Sequence, residues 1–484
     1  MKRLFILFVI SFIAVSILIA QDQTEKQLSQ EEALKGKITK LKIEVEKIRG
    51  KNFKEEIKVT VKNKEDLRTM ILKDMEKEWS KEYIDKAKKV LVKFGYIKPE
   101  LDLAKMVVDV FSEAIAGFYN PEDKELCLIK DAGSGVSQEE ENFAAAHELT
   151  HALQDQYFDL RSFNRWVIGN DDHGLSLKAL TEGEATLLGF EYVMKKTVMN
   201  SIKTSPVGTL GDLMRMSIDL KKTTDPNSAL AKAPAILIET TLFQYIKGTD
   251  FCHYFLKKND WKDFDKLYEN PPTSTEQIIH PEKFFDKIDY PTLFKMPELK
   301  KVLGEEWELL ENNCVGELAL SILVKEFLTP QKAKKASEGW DGDKFQVLED
   351  KKSNRIIIAW ITTWDSDKDA HEFASIYTDI LKKKYNKPAE VVNNASFIYI
   401  NSEAEVACVE LCNQDVMVIE GASASEIEKI RPEILKSVKI VTQEIPMTEF
   451  TKKELPVSKE PPKEESPKKE LPQDKEIPQN TKEF

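Results

Sequence analysis

The residues with the clearest chemical potential are two histidines and a glutamate in His147-Glu148-Leu149-Thr150-His151, which has the HExxH pattern. In an α-helix, side chains four residues apart project from the same face, so both imidazoles can bind one metal ion. The alanines on either side of the pattern favour such a helix. An acidic side chain in these apolar surroundings needs a partner, and a metal-bound water is a natural one. The pattern therefore predicts a zinc site with His147 and His151 as ligands and Glu148 as catalytic base.

A catalytic zinc site needs a third protein ligand, and two glutamates further along the chain are candidates. Glu182 and Glu184 lie in a second predicted helix, Leu177–Val198, where they project about 200° apart, so only one can face the metal. Gly183 between them weakens a helix, which indicates a packing reason for its presence. Small residues that allow close helix packing surround Glu182: Ala179, Ala185, Thr186 and Gly189. We predict Glu182 as the third ligand and retain Glu184 as the alternative, or as an acceptor that orients a ligand histidine.

Hydrolysis of a peptide bond also needs a hydrogen-bond donor for the oxyanion. Among the other histidines we select His280, because it closes a polar turn that begins at Thr275. A purely structural role for His280 stays open as well. Tyr157, which follows the second zinc-binding histidine on the same predicted helix, is the weaker alternative donor.

The surrounding sequence predicts both strands and helices. Alternating apolar residues in Ile38–Val61 indicate two strands, and a hairpin is predicted around the turn at Asn120–Asp123. Its second strand, Leu126–Lys130, is either an ordinary edge strand or the edge to which an extended peptide substrate binds. Helical periodicity is found in three regions: Lys64–Phe94, Asp102–Ala114 and most of Ser137–Leu328.

The composition changes near Pro330, which marks the expected end of the mainly helical region, residues 36–330. Beyond it, short strand-like runs alternate with two helical stretches, a pattern typical of an α+β domain, here residues 331–445. The last segment, 446–484, contains mainly Lys, Glu, Pro and Ser without apolar periodicity, and we predict that it is disordered. The fold class expected for the whole chain is α+β, with a small N-terminal sheet.

The N-terminus predicts export from the cell. Lys2 and Arg3 precede an apolar run from Leu4 to Ala20, after which the chain turns polar. Residues 1–20 are therefore interpreted as a secretory signal, or as a membrane anchor if the segment is not cleaved, and residues 21–35 as a polar linker. A membrane partner is expected only in the uncleaved case, and a secreted, periplasmic or cell-surface location in both.

The charge of the chain argues against nucleic acid as a partner. The formal net charge is −12, whereas a phosphate-binding surface requires clustered Lys and Arg in excess. The expected partner of a zinc hydrolase of this kind is a peptide or protein substrate.

The sequence HELTHALQDQ at His147–Gln156, with EGEA at Glu182–Ala185, resembles the gluzincins, the thermolysin-like branch of the peptidase MA-like superfamily. Further segments resemble an exported bacterial and archaeal subgroup of these enzymes: AGFYNPEDKEL at Ala116–Leu126, PPTSTEQIIHPEKF at Pro271–Phe284 and WDSDKDAHEFA at Trp364–Ala374. The resemblance extends from Ile38 to Val438. It implies a zincin-like catalytic unit, bound Zn²⁺ and peptidase activity.

The resemblance also implies a mechanism, in which zinc activates a water, Glu148 removes its proton, and the proton then passes to the leaving amine. Two alternatives stay open. One is a zinc amidase that acts on cell-wall peptides, and the other is an exported binding or scaffold protein with a structural or vestigial zinc site. The presence of Glu148 favours an enzyme, because a structural zinc site needs no base.

Overall fold

The computed structural model describes residues 25–78, 80–114, 117–129, 138–167, 169–196, 215–216, 219, 222–387, 390–392, 397–401 and 406–440. These residues belong to one compact unit that ends at Glu444 and contains both helices and sheets, so the expected α+β class is confirmed. The expected signal or anchor, 1–20, and the expected tail, 446–484, lie outside the described residues.

Helices account for most of the chain before residue 330. They are α1 (Glu25–Arg49), α2 (Lys64–Glu78), α3 (Lys81–Phe94), α4 (Leu103–Ala114), α5 (Gln138–Phe158), α6 (Leu160–Trp166), α7 (Asp171–Lys196), α8 (Ala229–Lys232), α9 (Ala235–Leu256), α10 (Asp265–Glu269), α11 (Thr275–Ile279), α12 (Glu282–Phe285), α13 (Lys300–Leu303) and α14 (Gly316–Phe327). Three more follow: α15 (Pro330–Ser337), α16 (Asp367–Tyr385) and α17 (Ala424–Ile434).

The strands lie at both ends of the described chain. They are β1 (Lys58–Lys62), β2 (Gly117–Asn120), β3 (Glu125–Ile129), β4 (Leu293–Lys295), β5 (Trp307–Asn313), β6 (Trp340–Asp350), β7 (Ile356–Trp364), β8 (Glu390–Val392), β9 (Phe397–Asn401), β10 (Val406–Cys412), β11 (Asp415–Ala422) and β12 (Val438–Ile440). Beyond residue 340 the strands alternate with two helices, α16 and α17, as the sequence predicts.

The N-terminal segment differs from the expectation of a linker at 21–35 followed by two strands. Residues 21–24 lie outside the described residues, and from Glu25 the chain is helical as far as Arg49. Helix α1 buries apolar side chains at helical spacing: Ile38, Leu41, Val45 and Ile48. Ile43, which supported the alternating pattern, is 45% exposed. The stronger periodicity was therefore that of a helix, and of the two expected strands only β1 forms.

The small N-terminal sheet places its strands in the order β1-β3-β2. Strand β3 pairs in parallel with β1 and antiparallel with β2, which confirms the hairpin. The prediction that Leu126–Lys130 is an edge strand is wrong, because β1 covers the outer side of β3 over its whole length, from Glu125 to Ile129. Within the described residues the edge on the hairpin side is β2.

The C-terminal sheet contains the antiparallel strands β5-β6-β7-β11-β10-β9-β8 in that order. It begins with β5 at Trp307, before the boundary expected near residue 330. One face of the sheet packs on the N-terminal helices, where Phe94 of α3 lies 5.2 Å from Phe345 and 6.0 Å from Trp360 between ring centroids. The regions 36–330 and 331–445 therefore share a hydrophobic core.

Candidate metal centre

Helices α5 and α7 bring the predicted metal ligands together. His147 and His151 lie one turn apart on α5, and Glu182 lies in the middle of α7, which packs against α5. Three atoms converge: His147 Nε2 is 3.0 Å from His151 Nε2 and 3.1 Å from Glu182 Oε2, and His151 Nε2 is 3.3 Å from the same oxygen. All three side chains are buried.

These distances fit a shared metal ion. Zinc–nitrogen bonds of about 2.0–2.1 Å place neighbouring ligand atoms of a tetrahedral site about 3.3 Å apart. Without a cation, the two imidazole nitrogens and the carboxylate oxygen would point lone pairs at one another. One proton can form a hydrogen bond between only one pair of these three atoms, so the other two pairs stay unbonded. The donor set of two nitrogens and one carboxylate oxygen is also one that zinc accepts in catalytic sites.

Close packing of α7 against its neighbours fixes the position of Glu182. A Cβ atom on Gly183 would lie 2.2 Å from the backbone of Gly248 on α9, and one on Gly248 would lie 2.0 Å from the carbonyl oxygen of Ala179. On the side facing α5, a Cβ atom on Gly189 would lie 3.0 Å from the ring of Phe143. The glycine beside the predicted ligand therefore has the packing reason that its sequence position indicated.

Glu148 follows His147 on α5, interacts electrostatically with His151 and Glu182, and is held by the N-terminal sheet. Its Oε2 accepts a hydrogen bond from the backbone N–H of Tyr119, at 2.7 Å. This N–H belongs to β2 and points away from the β3 ladder, so the open edge of the hairpin faces Glu148. Within the described residues, Glu148 Oε1 is buried and has no hydrogen-bond partner.

Burial and neighbouring charges change the pKa values of all four groups. Burial raises the pKa of Glu148 to about 8. Burial alone would lower the pKa of His151, but the charge of Glu182 outweighs it and raises that pKa to about 9. Burial likewise opposes ionisation of Glu182, yet the two histidines lower its pKa to about 2, while burial lowers the pKa of His147. Without metal, the interaction of these two groups therefore favours the ionised form of Glu182 and the protonated form of His151.

The alternative ligand Glu184 faces another part of the molecule. It forms an ion pair with Arg49 of α1 and accepts a hydrogen bond from the hydroxyl of Tyr268 on α10. Its third contact is with the amide nitrogen of Gln154, at 2.9 Å, and Gln154 in turn contacts His151. The choice of Glu182 over Glu184 thus agrees with the geometry, and Glu184 is connected to a ligand histidine through an intervening side chain.

The two predicted oxyanion donors are placed elsewhere. His280 Nε2 lies 3.1 Å from Glu317 Oε1, and its Nδ1 lies 3.8 Å from Glu282. The hydroxyl of Tyr157 donates to the carbonyl oxygen of Asn52. Neither side chain contacts the metal centre among the contacts of the described residues, so the structure does not bring them to the position that the prediction required.

A second group of acidic side chains converges on a lysine. Glu276 on α11, Asp289 and Asp365 present carboxylate oxygens that lie close enough to share a metal ion. Lys283 Nζ occupies the space between them, at 2.6 Å from Glu276, 3.1 Å from Asp289 and 2.8 Å from Asp365. The ammonium group already supplies the cation at this position.

Sequence reasoning missed three residues around the metal centre. Gln154 lies three positions after His151, which places both side chains on one face of α5, so helical spacing could have identified it. Tyr119 contributes only its backbone N–H, and Arg49, on a distant helix, is connected to the centre through Glu184 and Gln154. No local pattern in the sequence predicts either of these two contacts.

Comparison with known proteins gives one match. Residues 307–431 match the model of a domain of unknown function (DUF8575), a segment that begins with β5 and ends within α17. No curated protein and no solved structure matches the chain. The matched segment contains none of the residues of the metal centre. Within the part of the chain that the structure describes, no helix has the length and apolar character needed to cross a membrane.

Proposed function

We propose that this protein is an exported, zinc-dependent peptidase with a zincin-like catalytic unit, in which His147, His151 and Glu182 hold the metal. The observation that supports this most directly is the convergence of two imidazole nitrogens and one carboxylate oxygen within 3.3 Å, a group of ligand atoms that could hold a metal ion. The export part of the proposal rests on the character of residues 1–20 alone.

Glu148 has the position of a general base. Zinc in such a site lowers the pKa of a bound water toward about 7 and polarises the substrate carbonyl. Glu148 Oε2 already accepts a hydrogen bond from the N–H of Tyr119, whereas Oε1 has no hydrogen-bond partner among the described residues. Oε1 is therefore the atom that would accept the proton from the attacking water. The same carboxyl group then donates the proton to the leaving amine.

The open edge of β2 is the best binding surface for an extended substrate. An edge strand offers main-chain hydrogen bonds to a peptide that aligns beside it, and β2 lies directly against Glu148. This assignment replaces the expected role of Leu126–Lys130, which lies inside the sheet. The substrate class that follows is a peptide in extended conformation, and its side-chain preference is left open.

The test is the replacement Glu148→Gln, with the metal content and the hydrolysis of an unfolded protein such as casein measured on the same preparation. We expect about one zinc per chain by elemental analysis, as in the wild type, and a loss of hydrolysis of at least about 10²-fold, the usual contribution of a general base. Glu141→Gln is the matched control, because Glu141 lies on the same helix and pairs with Lys37 near the surface.

Three results would change the proposal. Equal hydrolysis by wild type and Glu148→Gln would remove Glu148 from the mechanism. Zinc at one per chain, without hydrolysis of any protein or peptide by the wild type, would favour a binding or scaffold protein. Hydrolysis of cell-wall peptides alone would favour the amidase alternative.

A further inference from the structure

Gln154 lies between a ligand histidine and a buried ion pair. Its Oε1 is 2.8 Å from His151 Nδ1, and its Nε2 donates to the carbonyl oxygen of Thr181 at 3.0 Å and to Glu184 Oε2 at 2.9 Å. Gln154 is 3% exposed, so water does not replace any of these bonds. The side chain is therefore fully hydrogen-bonded to three different partners.

These partners determine which way the amide of Gln154 points. A backbone carbonyl and a carboxylate can only accept hydrogen bonds, so the two contacts on one side must be made by the NH₂ group. The oxygen of Gln154 then faces His151, and an amide oxygen can only accept. His151 must therefore carry a hydrogen on Nδ1, which leaves the lone pair of the neutral imidazole on Nε2, the atom that faces His147 and Glu182.

The carboxylate of Glu184 is held in turn by residues from two other elements. Arg49 of α1 and Tyr268 of α10 both donate to it, and Arg49 also donates to the carbonyl oxygen of Trp261 at 2.9 Å and to Asp265 at 2.8 Å. The side chains of Arg49 and Glu184 are 2% and 0% exposed. The ion pair keeps Glu184 as an acceptor in an environment that would otherwise disfavour its charge.

We propose that Gln154 is a positioning residue that fixes the tautomer and ring orientation of His151, and that Glu184 and Arg49 fix Gln154. The inference rests on the proposed function, because it assigns the chain of contacts to metal binding at His151. Partners of this kind raise metal affinity by orienting a ligand before the metal arrives. The contacts join α1, α5, α7 and α10, so the N-terminal helix contributes to the centre without contacting it directly.

The experiment measures zinc affinity by competition with a chromophoric chelator, and the protein used comprises residues 21–484. For Gln154→Ala we expect a zinc dissociation constant raised by about 10–100-fold. Gln156→Ala is the matched control, because Gln156 lies on the same helix and bonds to the backbone of Lys54 and Glu55. This control is expected to bind zinc as the wild type does.

A second pair of variants tests the direction of the hydrogen bonds. Gln154→Glu places two carboxylates next to each other, and Glu184→Gln replaces the carboxylate with an amide whose NH₂ group can face the NH₂ group of Gln154, so each change alone is expected to weaken zinc binding. The double variant Gln154→Glu/Glu184→Gln restores one carboxylate and one amide in exchanged positions. The carboxylate at position 154 can again accept from His151 Nδ1, but it cannot donate to the carbonyl oxygen of Thr181, so we expect the affinity to return part of the way to that of the wild type.

The Nδ1–H of His151 also gives a direct spectroscopic readout. In the cobalt-substituted protein, the N–H protons of ligand imidazoles give resonances shifted far outside the usual range, and a hydrogen-bonded one exchanges slowly with solvent. We expect the Nδ1–H resonance of His151 to be present in the wild type and in the double variant. In Gln154→Ala we expect this resonance to disappear, because the proton exchanges faster with solvent. Circular dichroism and thermal unfolding establish that each variant is folded.

The outcomes separate this inference from the proposed function. A wild-type protein without stoichiometric zinc defeats both. If the wild type binds zinc while folded Gln154→Ala binds it equally well and retains the His151 N–H resonance, the positioning role is wrong and the proposed function stands. Weakened binding in the single variants with restoration in the double variant supports the role, whether or not peptide hydrolysis is detected.

Discussion

Within the part of the chain that the structure describes, two groups of ionisable side chains have enough ligand atoms for a metal ion, and they differ in what lies between those atoms. At the first, His147, His151 and Glu182 face one another and only a proton is available to separate them. At the second, Glu276 and its two neighbouring aspartates surround the ammonium group of Lys283. Both groups bring possible metal ligands together in the same fold, but the second contains a lysine ammonium group, whereas at the first the positive charge is a proton on an imidazole.

The difference shows why convergence of carboxylates is a weak criterion for a metal site. Carboxylates that meet in a protein need a positive partner, and a lysine side chain meets this need as a metal does. The imidazoles of His147 and His151 meet through their Nε2 atoms, and a proton on one ring can supply positive charge there, but it lies on only one of the three lines between the ligand atoms. The nitrogen donors therefore distinguish the centre on α5 and α7 from the Lys283 group.

The largest expected effect comes from removing a ligand at the first centre. Glu182→Ala deletes one of three protein ligands, and we expect zinc affinity to fall by at least about 100-fold, equivalent to about 3 kcal/mol or more. The corresponding change in the Lys283 group, Asp365→Ala, should leave zinc content at about one per chain. Elemental analysis after dialysis against a weak chelator measures both.

A different ranking of these two variants would break the comparison. If Asp365→Ala loses zinc while Glu182→Ala keeps it, the metal site would be the acidic group around Lys283. The ammonium group of Lys283 would then be a substitute for the metal ion at that site. Circular dichroism of both variants excludes the trivial explanation that one of them has unfolded.

The sequence predicted the first group well and the second not at all. HExxH is a local pattern, and helical spacing alone brings His147 and His151 to one face. Glu182 could be chosen over Glu184 because the surrounding small residues report on helix packing, and the approach of α7 to α9 at Gly183 and Gly248 agrees with that reasoning. The Lys283 group joins α11, α12 and the end of β7, and its members share no spacing that a sequence pattern could show.

The fold was predictable to a similar degree. The C-terminal strands have alternating or continuous apolar runs between clear turns, so the sequence predicts a region in which strands alternate with two helices, and the structure contains one. Helix α1 was mistaken for a linker and a strand, because one exposed isoleucine made a helical pattern look like an alternating one. The parallel pairing of β1 with β3 also could not be foreseen, since it joins residues from 58 to 62 with residues from 125 to 129.

A smaller effect is expected from removing the internal cation of the second group. Lys283→Met leaves the buried carboxylate of Glu276 without its partner, and we expect the free energy of unfolding to fall by about 2 kcal/mol. This is less than for a fully buried pair, because the side chain of Lys283 is 24% exposed and partly screened by water. Burial already raises the pKa of Glu276, so the variant can take up a proton there.

That proton uptake gives the loss a pH dependence with a definite sign. The penalty for an ionised, unpaired Glu276 is absent where the carboxyl group is protonated and increases as pH rises above its unfolded pKa of about 4.3. Urea denaturation should therefore show a larger loss at pH 8 than at pH 5. Lys301→Met is the control, because Lys301 is 74% exposed in its pair with Glu298 and its removal should change stability little at either pH. A loss that is equal at both pH values would indicate that Lys283 acts through packing alone.

The smallest effect that sharpens the comparison is a proton count. The charge of Glu182 raises the pKa of His151 to about 9 in the metal-free protein, so at pH 7 this imidazole carries a proton that zinc must displace. We expect release of at least about one proton per zinc at pH 7 and little release above pH 10, so that zinc affinity rises by about tenfold for each pH unit between 7 and 9. Calorimetric titration in buffers of different ionisation enthalpy counts these protons.

His280→Gln should leave the count unchanged, since His280 pairs with Glu317 away from the ligands. Zinc binding at pH 7 without proton release would mean that both histidines are neutral in the metal-free protein. The two groups would then differ in the arrangement of their ligand atoms and not in the positive charge that each one holds.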